Sequence, residues 1–393
     1  MNQVLSQRFT INYEYDIHFT THLFSLENNL LKDFLQARGN PYFKQKVLFV
    51  IDEAVAQHHA NLQSQIREYF AEIDAIQSKT PCLILKGGEV CKNDPNSLAA
   101  IIEAIDHYGI DRHSYVVGIG GGAILDLVGY AAAVSHRGIK HIRIPTTVLS
   151  QNDSGVGVKN SVNYKGKKNF LGTFTPAVAV FNDFAFLQSL DDRSWLAGIS
   201  EAIKVALIKD LPFFEWIEKN ATTLPQRSSQ EMKELIYRCA DLHLAHIRDG
   251  DPFELGSSRP LDFGHWSAHK LEQLTEFKLL HGEAVAIGLA IDVIYSYLIG
   301  NITEAEALRI VQLIHQLGLP IYHPILDAET TRQQLLTGLL EFQEHLGGRL
   351  TIVLLEKLGK GKDYHNLDFP LVLQTLDFLQ QYQETHQQYN EVN

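Results

Sequence analysis

Residues 115–126 read Tyr-Val-Val-Gly-Ile-Gly-Gly-Gly-Ala-Ile-Leu-Asp. A short apolar run, Tyr115 to Ile119, gives way to three glycines, Gly120 to Gly122, and then to a small and aliphatic stretch that continues to Val134. Strand, glycine turn and helix in that order expose the amides of a helix N-terminus, and glycine lets the backbone approach a pyrophosphate closely. Gly118-x-Gly120-x-x-Ala123 is a loose form of the dinucleotide-binding spacing. Taken alone, the same spacing also suits an ordinary tight turn. The usual fingerprint places an acidic residue roughly 20 positions downstream for the ribose. This chain has Arg137 and Lys140 in that region, so Asp52 and Glu89, which follow two other strands, are the candidate ribose acceptors.

Outward from this turn, apolar runs alternate with amphipathic stretches. Lys46 to Ile51, Cys82 to Leu85 and His141 to Ile144 read as further strands. Helices are expected over about 53–70, 97–108 and 122–134. That alternation predicts a Rossmann-like parallel sheet with helices on its faces. Beyond residue 186 the pattern turns helical: Trp195 to Lys209, Gln230 to His246, His265 to Glu276, Gly282 to Leu298 and Glu304 to Leu317. The expected division is an α/β NAD-binding domain over 1–186 and a mostly α-helical metal and substrate domain over 187–393.

The chain has 393 residues and a net charge of −12. Such acidity argues against a nucleic-acid partner, yet a local cluster of cations still suits a small anionic substrate. No apolar run reaches the length of a membrane span. Met1 to Phe19 is polar and mixed in charge, unlike a secretory signal. Cys82, Cys91 and Cys239 show no C-x-x-C spacing, which fits a reducing cytoplasm.

Two groups of residues carry candidate chemistry. His265 and His269 are four apart on one helical face, His281 precedes another helix, and Glu201 lies within a third. Two histidines and a carboxylate make a common catalytic zinc set. Spacing does not choose between His265 and His269, and with 18 histidines in the chain some clustering arises by chance. Residues 137–169 form a basic island: Arg137, Lys159, Lys167, Lys168 and Asn169 stand among glycines and small polar residues. This is either a solvated loop or a phosphate cradle. Asp153 suits a turn, or a carboxylate that orients a metal or a substrate hydroxyl.

Together these motifs resemble the 3-dehydroquinate synthase family and the wider sugar phosphate cyclase superfamily. The resemblance rests on GGGAILD (120–126), HRG (136–138), PTT (145–147), NDSGVGVKN (152–160), GKKN (166–169), EAIK (201–204), DFGHWSAH (262–269) and HGEAVAIG (281–288). It implies zinc or cobalt held by Glu201, His265 and His281. It implies NAD contacts from Asp52, Glu89, Lys92, Gly121, Gly122, Asp126, Thr146, Thr147, Lys168 and Phe186. Substrate contacts would come from Asp153, Lys159, Asn169, Lys204 and His269, with Asp262 beside them. Arg137 resembles the residue that reaches the phosphate in a neighbouring subunit, which implies a homodimer. The expected chemistry is transient oxidation by NAD, phosphate elimination, return of the hydride and an aldol closure to a carbocycle.

The departures from this pattern concern the substrate. Leu244, Ser258 and Asp262 stand where dehydroquinate synthases carry a Lys, an Arg and an Asn, with Arg259 displaced by one position. The Asp resembles the 2-epi-5-epi-valiolone synthase branch, whose substrate, sedoheptulose 7-phosphate, has no carboxylate. His269 is the dehydroquinate synthase form. The combination is most similar to the dehydroquinate synthase-like proteins of Ebo-type gene clusters. The rival readings are a metal-dependent glycerol or alcohol dehydrogenase, which would lack a use for the phosphate island, and a non-catalytic scaffold, which would have no reason to keep the three candidate ligands.

Overall fold

The computed structural model describes residues 3–77, 79–249, 251–253, 260–345 and 349–392. The strands are β1 (Asp16–Thr20), β2 (Val47–Asp52), β3 (Cys82–Leu85), β4 (Tyr115–Gly120), β5 (Lys140–Pro145), β6 (Lys159–Tyr164), β7 (Lys167–Phe174), β8 (Ala179–Asp183), β9 (Ile352–Lys357) and β10 (Lys360–Tyr364). Six of them form one parallel sheet in the order β1-β8-β5-β4-β2-β3, and β6–β7 and β9–β10 are antiparallel hairpins. The helices of the first half are α1 (Leu30–Ala37), α2 (Glu53–His58), α3 (Leu62–Ala71), α4 (Val90–Asn93), α5 (Pro95–His107) and α6 (Gly122–Val134). Those of the second half are α7 (Asp192–Ala197), α8 (Ile199–Lys209), α9 (Leu211–Lys219), α10 (Ser229–Asp249), α11 (His265–Leu274), α12 (His281–Leu298), α13 (Glu304–Gln316), α14 (Glu329–His345) and α15 (Phe369–Val392).

The sheet is apolar on both faces because helices cover both, as parallel sheets require. Val47, Phe49, Ile51, Tyr115, Val117 and Ile119 pack to one side, and Leu48, Val50 and Val116 to the other. A separate core gathers around α8 and α12 and is built almost wholly from residues 187–379. In the register of the sheet, Asp52 pairs with Leu85 and Gly120 with Pro145, so β2 to β5 end along one edge. Crevices beyond the carboxyl ends of such strands are where ligands bind.

Three details differ from the sequence reading. β1 and β8 join the sheet although neither was expected. The single helix expected over 53–70 breaks at residues 59–61 into α2 and α3. The helix expected from Trp195 breaks at Gly198, where an added Cβ would lie 2.5 Å from Leu149 N, so the chain turns between α7 and α8 against residues 148–149. The basic island is largely ordered backbone, comprising β5, one helical turn over 150–154 and the β6–β7 hairpin.

Candidate functional site

Every residue of α8 from Ile199 to Ile208 is buried, so Glu201 is carried into the interior with no exposure. Burial pushes its carboxyl up from the ordinary range, and Lys204, one turn later with Nζ 2.5 Å from Oε2, works against that. Glu201 Oε1 has no hydrogen-bond donor among the described residues. It faces His265 Nε2 and His281 Nε2, each 3.7 Å away. These two histidines open α11 and α12.

Each imidazole is oriented through its other nitrogen. His265 Nδ1 lies 3.1 Å from the Phe263 carbonyl, and His281 Nδ1 lies 3.1 Å from Glu272 Oε2. Donation at Nδ1 leaves both Nε2 lone pairs directed at Glu201, the arrangement that holds metal-ligating histidines in place. Burial, followed by Lys204, keeps His265 well below the ordinary imidazole range and therefore neutral, which is the ligand form. The ligand atoms of Glu201, His265 and His281 lie within 4.8 Å of one another. A buried carboxylate oxygen without a donor, facing two imidazoles, fits a divalent cation with one position open to substrate.

His269, left open by its spacing, falls in a second group with Glu272 and His281. The carboxylate of Glu272 is already occupied, because Lys168 Nζ lies 2.7 Å from both of its oxygens. Burial raises Glu272, but Lys168 and His281 outweigh it and hold the carboxyl well below the usual range. The second group therefore has its negative charge neutralised, and Glu201 is the better cation ligand.

Asp153 does not cap its own turn. Its Oδ1 lies 2.8 Å from His243 Nδ1 on α10. Burial pushes Asp153 up, but Lys204 and His243 outweigh it and keep the group ionised. The loop that carries Asp153 and Lys159 is pinned by Arg143 of β5, which is buried. Its guanidinium donates to the carbonyls of Ser154, Gly155, Gly157 and Lys159 and to Asn160 Oδ1, over 2.7–3.3 Å. Arg143, His243 and Glu272 were missed by the sequence reading. Only Arg143 left a signal, as a cation between the two isoleucines of the strand run Lys-His-Ile-Arg-Ile-Pro.

At the strand ends, α6 begins at Gly122, and the Leu125 amide bonds back to the Gly121 carbonyl. The amides before it lie at the helix mouth. A Cβ on Gly122 would lie 2.5 Å from Ser154 Oγ, and one on Gly120 would lie 3.1 Å from Asp52 Cβ. Asp52 caps α2 through the Ala54 amide at 2.9 Å, and burial raises its carboxyl. Glu89 accepts from Asn163 Nδ2 at 2.7 Å. Thr146 donates its amide to the Gly120 carbonyl, and Thr147 Oγ1 lies 2.8 Å from Ser150 Oγ.

The other expected contact residues have these surroundings. Lys92 is buried, with Nζ 2.7 Å from Asp126 Oδ2, 3.0 Å from Ser161 Oγ and 2.5 Å from Asn169 Oδ1. These residues form one hydrogen-bonded cluster between α4, α6 and the β6–β7 hairpin. Lys168 reaches the Glu272 side. Phe186 is buried in the layer beneath the sheet, its ring 5.1 Å from that of His59. Arg137 is exposed just beyond the far end of the 13-residue α6, about 20 Å from Gly122 at 1.5 Å per residue. Leu244 is half-buried beside His243; Ser258 and Arg259 lie outside the described residues.

Comparison with known proteins bears on this arrangement. Residues 82–197 match a family model described as 3-dehydroquinate synthase N-terminal, and residues 198–338 match its C-terminal counterpart. The chain belongs to the 3-dehydroquinate synthase family. Within that family it is 33% identical to the 2-epi-5-epi-valiolone synthase of Actinoplanes sp. over 323 residues, which is 80% of this chain and 79% of the relative. It is equally 33% identical to the 3-dehydroquinate synthase of Acinetobacter baumannii over 339 residues, 86% of this chain and 91% of the relative. Among solved structures it resembles the 2-epi-5-epi-valiolone synthase of Streptomyces hygroscopicus with NAD+ and Zn2+ bound. The identity there is 28% and the TM-score 0.86, over 96% of this chain and 100% of that one. This family member is thus a dehydroquinate synthase-like sugar phosphate cyclase, of a class of lyases that eliminate phosphate. Equal identity to two kinds of synthase does not single out a substrate.

Proposed function

We propose that the protein converts a seven-carbon ketose phosphate lacking a carboxylate, such as sedoheptulose 7-phosphate, into a carbocycle with loss of phosphate. The rival substrate is the carboxylated one of a true 3-dehydroquinate synthase. The observation that carries the choice is the charge around Lys204. Burial works to lower this amine, and Glu201, Asp153 and Asp262 together outweigh it and raise it. Three carboxylates thus already surround this buried cation. Leu244 and Asp262 stand where the family pattern has a Lys and an Asn, so a substrate carboxylate would meet an added negative charge with one cation fewer to offset it. Hydroxyl groups suit that environment, since they can donate to carboxylates. The mixture of Asp262 with His269 supports kinship with the dehydroquinate synthase-like proteins of Ebo-type gene clusters.

In this reading residues 1–186 form the NAD-binding domain and 187–393 the metal and substrate domain. Glu201, His265 and His281 hold zinc or cobalt, and the Gly120–Gly122 turn with Asp52, Glu89, Thr146 and Thr147 receives NAD. When bound, the two groups supply Lewis-acid polarisation of oxygen and reversible hydride transfer without net redox change. Asp153, kept ionised, accepts a proton-bearing hydroxyl of the substrate. Lys204 neutralises Glu201 and donates to a substrate oxygen. Lys159, Asn169, His269 and Arg137 of a second copy hold the phosphate, which makes the protein a homodimer. Lys92 and Asp126 fix the hairpin that carries Asn169. Cytoplasmic location fits the free thiols Cys82, Cys91 and Cys239, and no helix among the described residues is long and apolar enough to cross a membrane.

The test is kcat/KM for sedoheptulose 7-phosphate and for 3-deoxy-arabino-heptulosonate 7-phosphate, following phosphate release with NAD and cobalt present. Preference for the carboxylated compound by tenfold or more would overturn the substrate reading. Stoichiometric accumulation of NADH would favour a dehydrogenase.

A further inference from the structure

Asp292 is a carboxylate on α12 with 1% exposure. Its two oxygens are each used once. Oδ1 accepts from Trp266 Nε1 at 2.8 Å, and Oδ2 accepts from the Gly264 amide at 2.8 Å. Trp266 and Gly264 are the two neighbours of His265 in the chain. Gly264 is the N-cap of α11, held at φ +78°, and it has no side chain with which to cap the helix. Gly288, one turn before Asp292 on the same face of α12, leaves room for the Gly264 carbonyl; a Cβ there would lie 2.0 Å from that oxygen. One helix therefore begins with the ligand His281 and, further along, receives and anchors the turn that presents the ligand His265.

Burying a carboxylate against two neutral donors is costly, and an apolar side chain would fill the same space with less penalty. Burial accordingly pushes the Asp292 carboxyl up, to about 7, against the pull of its two donors. What the carboxylate provides, and an apolar residue would not, is a fixed direction for residues 264 and 266. A Trp266 indole held at one end and a Gly264 amide at the other leave His265 little freedom to swing away from Glu201.

We propose that Asp292 is the positioning residue of His265, and that by clamping Gly264 and Trp266 it sets the affinity and geometry of the metal centre. The inference rests on the metal set proposed above. Residues that orient metal-binding histidines typically change metal affinity by about 10–100-fold when they are removed.

The experiment uses the full chain at pH 8, with Co2+ affinity measured by chelator competition and coordination geometry read from the visible absorption of the bound cobalt. Asp292→Asn places an NH2 group against one of two donors, and Co2+ binding should weaken about tenfold or more, with an altered spectrum. Removing the indole N–H as well, in Asp292→Asn with Trp266→Phe, leaves the amide oxygen free to accept from Gly264. That double variant should recover part of the affinity, because Gly264 alone is held again. Ile105→Ala, a core change beside the sheet, should lower stability without altering either readout. If Asp292→Asn binds and absorbs like wild type, the clamp is wrong while the metal reading stands. Equal losses in the single and double variants would also overturn the clamp. If wild type itself binds no Co2+, both readings fall together.

Discussion

Lys168, on the β6–β7 hairpin, places Nζ 2.7 Å from both carboxylate oxygens of Glu272 on α11. One of those oxygens also lies 3.1 Å from His281 Nδ1, so the pair links the hairpin to a candidate metal ligand. Glu272→Gln removes the charge from this pair and leaves Lys168 without its partner. Breaking a buried pair costs about 3–5 kcal/mol, and the lost histidine support should weaken metal binding about tenfold or more. Urea unfolding and chelator competition check the two effects separately. An unchanged metal affinity would mean that His281 is oriented by something else.

His281→Ala should abolish tight binding of one divalent ion per chain, because it removes a ligand from a three-residue set. Metal content after dialysis is the measurement, and full occupancy in the variant would sink the assignment of Glu201, His265 and His281. The same substitution at His269 should leave the metal in place and impair substrate binding instead.

NAD should bind more tightly than NADP, since the acids at the strand ends, Asp52 and Glu89, disfavour a 2′-phosphate. Calorimetric titration decides this, and tighter NADP binding would contradict it. Gly122→Ala should weaken NAD further, because its Cβ would lie 2.5 Å from Ser154 Oγ at the helix mouth. Wild-type affinity in that variant would place the pyrophosphate elsewhere.

Asp292 also predicts a pH dependence. Burial raises its folded-state pKa from 3.8 to about 7, so the folded chain holds a proton that the unfolded chain releases. The stability associated with that proton is complete below pH 4 and is lost as pH rises through 7. Each pH unit in that window costs up to about 1.4 kcal/mol from this group. Urea unfolding in the presence of a chelator should show a steeper decline between pH 5 and 7 for wild type than for Asp292→Asn. Parallel declines would mean that Asp292 titrates normally.

Much of this was legible in the sequence, for reasons that differ by element. Strands β2 and β4 are buried on both faces and so read as continuous apolar runs, the second leading straight into the glycine turn. β1 (Asp-Ile-His-Phe-Thr) mixes polar and apolar residues at the sheet edge and carries no such signature. The candidate metal set was visible as residue types but not as a choice between His265 and His269, because both lie on one helical face; what favours His265 is Glu201 on α8, with Lys168 on a distant hairpin occupying Glu272. Glu272 is 104 residues from Lys168 in the chain, a pairing that no local pattern encodes. Arg143 reads as an ordinary strand cation until the loop from Ser154 to Asn160 folds over it.

Arg137 provides the last prediction. It is exposed just beyond α6, and the proposed reading gives it to the phosphate site of another copy of the chain. In a two-fold dimer the same patch on each subunit faces the partner, so each site would be completed by the other subunit's arginine. Arg137→Ala and Lys204→Met should each abolish most activity as homodimers. Co-expressed, they form heterodimers in which one site is doubly damaged and the other has its own Lys204 and an intact Arg137 from across the interface. With random pairing, half the dimers are mixed and half their sites work, which gives about a quarter of wild-type specific activity. Phosphate release by the co-purified mixture, compared with the two homodimers mixed only in the assay, measures it. Recovery no greater than the sum of the separate variants would show that Arg137 does not act across the interface, and the homodimer would lose its catalytic reason.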